Sequence, residues 1–203
     1  MVRPNGNFTK LTAAPATKKV GVAICSGSLP RNVEGLKQQI NREMSDLVEN
    51  VRYESLPYNV SDLDKFDFDG IDVMILCHSI DNRRFSITNV TDSLYDGFLK
   101  RAKNHLGKSK VGVIAHDFSE DDLTSDKLST KMASFLYTQP TTFQCASLVL
   151  IGGQLAKEPV QLSKTQLDTL RQFLKAASTP GLVEIILVAL LKLVDGITCG
   201  LLT

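Results

Sequence analysis

The residues most able to do chemistry in this chain gather at a few places. Ala102–Ser109 (AKNHLGKS) nearly matches a phosphate-binding loop, a glycine-rich turn whose backbone N–H groups and lysine cradle phosphate oxygens. Ser26–Asn32 (SGSLPRN) offers hydroxyls and a glycine, which could also hold a phosphate. Ser28, His116 and Asp117 supply a hydroxyl, an imidazole and a carboxylate that could meet at one sheet edge as a nucleophile and its base. The cysteines Cys25, Cys77, Cys145 and Cys199 lie far apart with no Cys-x-x-Cys pair. The histidines lack metal-ligand spacing, so neither set predicts a metal site.

These residues depend on the elements that carry them. Residues 1–18 contain Pro4, Gly6 and Pro15, show no periodicity and read as a loose tail. Val20–Cys25 (VGVAIC), Val51–Leu56, Val73–Cys77 (VMILC), Val111–Ala115 (VGVIA) and Ala146–Ile151 (ASLVLI) are short apolar runs, the pattern of strands buried on both faces. Helical spacing falls over Val33–Val48, Thr88–Asn104, Ser125–Leu136 and Ser163–Ala177, with Ser163 as an N-cap. Residues 57–69 read as an acidic, irregular connection. Strands alternating with helices predict an α/β fold with a doubly wound, mostly parallel sheet. Ligands in that class sit beyond the carboxyl ends of the strands, so the loops after Cys25, Cys77, Ala115 and Ile151 are the places to look.

Against that frame the chemical motifs weaken. A phosphate loop follows a strand and opens a helix, whereas Gly107-Lys108-Ser109 closes a helix and enters a strand, and Ala102 replaces the first glycine. The loop after the first strand has Gly27 but no correctly spaced Gly-Lys. Asp67-Phe68-Asp69-Gly70 precedes a strand instead of following one, and Ala115-His116-Asp117-Phe118 stands where a guanine-reading Asn-Lys-x-Asp would be. Phosphate, magnesium and base contacts are therefore all missing, which argues against GTP hydrolysis. Ser26–Asn32 also faintly resembles the Gly-Ser-Leu-Arg loop of flavodoxin-like FMN-dependent reductases. Pro30 stands where arginine would and removes a donor N–H. No Gly-x-Ser-x-Gly elbow supports Ser28 as a nucleophile.

The chain of 203 residues, 43% of them apolar, suits one domain with short appendages. A net charge of +1 gives no general drive toward nucleic acid. Locally, Lys100, Arg101, Lys103, Lys108 and Lys110 form a basic run, and Asp117, Glu120, Asp121, Asp122 and Asp126 an acidic one; both read as solvated faces. Cysteine placement predicts small core residues in a reduced compartment. Gly181–Val194 (GLVEIILVALLKLV) is apolar almost all round: Glu184, Lys192 and Asp195 share an arc of about 80° on a helical wheel. Such a helix must be covered on all sides. Its charges interrupt it short of the roughly 20 apolar residues needed to span a membrane, so a protein partner is the expected cover.

Ile71-Asp72-Val73-Met74-Ile75-Leu76, then Arg84-Phe85-Ser86-Ile87-Thr88-Asn89, Ser93-Leu94 and Leu106-Gly107-Lys108 resemble the centromere protein M family, as does Thr179-Pro180-Gly181 opening an apolar helix. The resemblance covers most of Lys19–Val194, with a longer linker at 57–70, Ser109-Lys110 added before the fourth strand, and an added segment after Ile151. It implies a small-GTPase-like (P-loop-type) domain over 19–178 that has lost nucleotide binding, followed by a partner-binding helix and tail over 179–203. It implies a non-catalytic structural subunit of the inner kinetochore, in the nucleus at the centromere, serving chromosome segregation in mitosis. The implied partners are centromere protein I directly, with centromere proteins H and K in the same assembly. No cofactor, GTP, membrane or direct nucleic-acid contact is implied. The expected contact residues are Leu106 and Ile185 by matching motif, with Leu182 and Leu190 on the same helix as Ile185.

Overall fold

The computed structural model describes residues 18–179, apart from residues 84 and 92. β1 (Val20–Ser26), β2 (Val48–Ser55), β3 (Val73–Ser79), β4 (Val111–His116) and β5 (Leu148–Ile151) form one sheet in the order β2-β1-β3-β4-β5. Every pairing is parallel, with Val22 beside Val73, Met74 beside Val111 and Gly112 beside Leu148. This is the doubly wound α/β fold that the alternation of elements predicts.

Residues alternate between the two sheet faces even where every side chain is apolar. Val73, Ile75 and Cys77 join one buried cluster; Met74 and Leu76 join the other. The first cluster is roofed by α1 (Glu34–Glu43) through Leu36 and Ile40, and by α7 (Lys164–Ala177) through Leu170, Phe173 and Leu174. The second is roofed by α4 (Asp96–Leu106) through Phe98, Leu99 and Ala102, with Phe135 of α5 (Ser125–Thr138) and Cys145 of α6 (Pro140–Cys145). Ser163 caps α7, as the sequence predicts, and the structure completes the cap as a capping box with Gln166.

The structure corrects several boundaries. The helix expected over Thr88–Asn104 begins only at Asp96, after a short α3 (Ile80–Arg83). Tertiary contacts hold the intervening chain out of a helix. The Gln139 side chain accepts from the N–H groups of Ile87 (2.8 Å) and Thr88 (2.9 Å) and donates to the Phe85 carbonyl (2.7 Å). Thr88 is buried against Thr142, and Asn89 takes a left-handed φ of 59°. Likewise α1 is shorter than Val33–Val48: Pro30–Val33 is a 3-10 turn, and β2 begins at Val48. The expected Ser125–Leu136 helix runs on to Thr138, and the fifth strand begins at Leu148 instead of Ala146.

The connection 57–69 is also more ordered than its composition suggests. It contains α2 (Val60–Leu63), capped by Asn59, and sends Leu63 and Phe68 into the second cluster. Arg101, assigned from sequence to a solvated run, is its clamp. Its guanidinium donates to the Leu63 and Phe66 carbonyls, each at 2.7 Å, and lies 5.3 Å from the Phe68 ring centre. The segment after Ile151 returns over α1, where the Gly35 and Leu36 N–H groups donate to the Ala156 (3.1 Å) and Leu155 (3.0 Å) carbonyls. These bonds satisfy donors that a helix start leaves open. The approach needs a glycine, since a Cβ on Gly35 would lie 2.4 Å from the Lys157 carbonyl carbon.

Candidate functional site

The strand order reverses between β1 and β3, so the crevice beyond their carboxyl ends is where a ligand of this fold class would bind. The loops after β1, β2 and β3 converge there, and they fill it. The Tyr53 hydroxyl donates to the carbonyls of Ser26 (3.2 Å) and Ser28, and the Ser26 carbonyl also accepts from the Leu56 N–H at 2.9 Å. The Ser26 hydroxyl accepts from the Ser28 N–H at 3.1 Å, so this N–H is already engaged within the loop. Gly27 lies under two tyrosines: a Cβ there would sit 3.3 Å from Tyr95 Oη and 3.7 Å from Tyr58 Cε1. Pro30 then opens the 3-10 turn.

What remains is a cavity of about 10 Å³ lined by Gly27, Ser28, Cys77, His78, Ser79 and Tyr95. That is room for about one water, against several hundred Å³ for a typical small-molecule site. Tyr58 also lines it while remaining 62% exposed, and Leu29 and Val60, on the loop after β1 and at the start of α2, are exposed as well. Burial pushes the Cys25 and Cys77 thiols far above the usual thiol range, so both remain neutral and unreactive. The described cysteines Cys25, Cys77 and Cys145 are free and buried, as small core residues; Cys199 lies outside the described residues.

Ser28, His116 and Asp117 do not assemble as a nucleophile and its base. Ser79 takes the place beside Asp117, and its hydroxyl donates to Asp117 Oδ2. Asp117, with a left-handed φ of 70°, thus links to a serine directly, without an imidazole between them. His116 is fully buried, and its Nδ1 lies 3.0 Å from Asp117 Oδ2 without hydrogen-bond alignment. Burial raises the Asp117 carboxyl's pKa, but His116 and Ser79 together outweigh it and hold the group below its ordinary value. Among the described residues no cluster of three or more His, Cys, Asp or Glu could hold a metal. Nor is any described helix long and apolar enough to cross a membrane.

The near-match AKNHLGKS sits at a helix end, as its context predicts. Gly107 closes α4 with φ 85° and donates its N–H to the Lys103 carbonyl at 2.9 Å, and Lys108–Lys110 is a 3-10 turn leading into β4. Leu106 is half-buried at that end, packed on the second cluster. Of the other expected contact residues, Leu182, Ile185 and Leu190 lie outside the described residues. Gln139 and Arg101 organise the loops around these sites, and neither was singled out for that from sequence. Gln139, wedged between one helix end and Pro140, carried the only local hint.

No family model and no curated protein matches the chain. Among solved structures, a pilus assembly-related protein from Burkholderia pseudomallei is similar at 11% identity and a TM-score of 0.41, covering 84% of this chain and 98% of its own. Sup35 complexed with GDP is similar at 9% identity and a TM-score of 0.39, covering 79% of this chain and 43% of its own, so the match spans less than half of that protein. Likeness at this level assigns no function.

Proposed function

We propose that this chain is a non-catalytic structural subunit of the inner kinetochore that binds and stabilises centromere protein I within an assembly that includes centromere proteins H and K. The observation that carries the reading is the filled crevice at the β1–β3 switch point. A fold whose ligand position is occupied by its own tyrosines, and which leaves Leu29, Tyr58 and Val60 exposed, suits a role in presenting surface to a partner. The residue resemblance supplies the partner's identity. Two of its motifs lie in consistent places: Ile71–Leu76 leads into β3, and Leu106-Gly107-Lys108 forms the end of α4. On this reading Leu106 contributes contact surface, with Leu182, Ile185 and Leu190 beyond the described residues. Its site of action would be the centromere.

The test is co-purification with centromere protein I. Covering one leucine or isoleucine contributes about 1.5–3 kcal/mol. Leu106→Glu or Ile185→Glu should therefore release the partner while circular dichroism of the chain is unchanged. Retention of the partner by both variants overturns the site assignment, and failure of the wild-type chain to co-purify overturns the function. One observation favours the second reading, a flavodoxin-like FMN-dependent reductase: the order β2-β1-β3-β4-β5 is the flavodoxin-like order. That reading requires a yellow protein, or saturable FMN binding by fluorescence quenching, and a colourless protein that leaves FMN fluorescence unchanged excludes it.

A further inference from the structure

A second opening lies on the same sheet edge, beyond β4 and β5. It is a groove of about 260 Å³ between Glu120, Leu123 and Leu128 on one wall and Leu162, Ser163 and Gln166 on the other. Leu123 and Leu128 are half-buried and pack on the second cluster, while Leu162 belongs to the first, so the groove follows the seam between the two. Its walls are tied together. The Asp117 and Phe118 N–H groups donate to the Gly153 (3.0 Å) and Gly152 (3.2 Å) carbonyls, and Gln161 Nε2 donates to Glu120 Oε1 at 3.2 Å.

The polar side chains of the groove are already engaged. Gln166 Nε2 donates to the Ile151 carbonyl at 2.6 Å and its Oε1 accepts from the Ser163 N–H at 2.8 Å. The Ser163 hydroxyl accepts from the Gln166 N–H, and Gln161 Oε1 from the Gln154 N–H. An incoming group therefore meets leucines on the floor and carboxylates on the rim. Asp122 is paired with Lys131 at 3.3 Å, whereas exposed Asp121 makes no ion pair among the described residues. Asp126 borders a neighbouring opening with Lys127, Thr130 and Lys131.

We infer that this groove docks a basic amphipathic segment of a partner protein, an aliphatic or aromatic side chain seated on Leu123, Leu128 and Leu162 with lysines or arginines facing Glu120 and the neighbouring Asp121. The volume suits one or two side chains and falls below the range of small-molecule sites. The Glu120–Asp121 carboxylates disfavour the phosphates of nucleic acid and of anionic lipid on this wall, and a cationic protein segment is the complementary occupant. The inference stands apart from the kinetochore reading.

The test titrates the 15N-labelled full-length chain at low salt with three designed helical peptides of equal length: Lys/Leu amphipathic, Glu/Leu amphipathic and Lys/Ser. The Lys/Leu peptide alone should shift the amides of Leu123, Leu128, Leu162 and Gln166. The charge-reversed double variant Glu120→Lys/Asp121→Lys, altered only at exposed positions, should bind it at least about tenfold more weakly. The control Glu49→Lys/Asp64→Lys should bind like the wild type. Equal binding of the Lys/Ser peptide, shifts mapping elsewhere, or undiminished binding by the groove variant would each overturn the proposal. So would the same amides responding to a peptide of residues 1–17, which would make the chain's own terminus the occupant.

Discussion

The carboxyl edge of the sheet is closed over β1 and β3 and open over β4 and β5. Both halves are built the same way, from parallel strands feeding loops that run into helices. They differ in what the loops carry. Over β1 and β3 they bring Tyr58 and Tyr95, which with Tyr53 of β2 occupy the space and engage the loop's own polar groups. Over β4 and β5 they bring leucines, with glutamines and a serine bonded to the nearby chain. A single fold can thus close a ligand position with aromatics and leave a groove for one or two side chains over the neighbouring strands.

The largest effect should come from emptying the closed half. Tyr95 is 2% exposed, and Tyr95→Ala should cost about 3–5 kcal/mol of stability in urea unfolding, in the range of large aromatic truncations. If the variant instead loses less than about 1 kcal/mol, the tyrosine is not filling the crevice as described. The open half depends on the segment after Ile151, seated on Gly35. Gly35→Ala forces that backbone away and should cost about 1–3 kcal/mol. Hydrogen exchange should rise at Leu36 and Gln161 and stay unchanged at Tyr95; an unchanged loop would show that the two halves do not differ in this support.

The smallest effect belongs to Asp117, which sits between the halves. Its carboxyl's pKa is lowered in the folded state, so its contribution is present above the ordinary carboxylate range. That contribution is lost as pH falls through the lower folded value. The Asp117 side chain is 20% exposed and screened, so the advantage of wild type over Asp117→Asn is at most about 1 kcal/mol near neutrality. It should vanish well below pH ~3.9, as followed by paired urea titrations. A constant difference across that range would mean that the carboxylate charge contributes nothing.

Much of the scaffold was legible because periodicity is a local property. The all-apolar runs at Val73–Cys77 and Val111–Ala115 announced strands covered on both faces, and Ser163 announced the start of α7. The mismatch of AKNHLGKS with its context was likewise readable, since helix and strand patterns flank it on the wrong sides. Thr88–Tyr95 was misread as helix because its helical spacing competes with bonds to Gln139 and Thr142, some fifty residues away in sequence. Arg101 was misread as solvated for a related reason: its partners are backbone carbonyls, which no side-chain pattern reveals.

What the sequence determined by itself, then, is the order of elements, the two buried sheet faces and the absence of a phosphate loop in working position. Each follows from side-chain period and the residues flanking each element. Only the tertiary structure decided that Tyr58 and Tyr95 close over Gly27, that Ser79, not Ser28, stands beside Asp117, and that an acidic run borders an apolar groove. Those outcomes depend on which loops meet at the sheet edge, and that meeting is set by strand order and crossovers, quantities that no local pattern encodes.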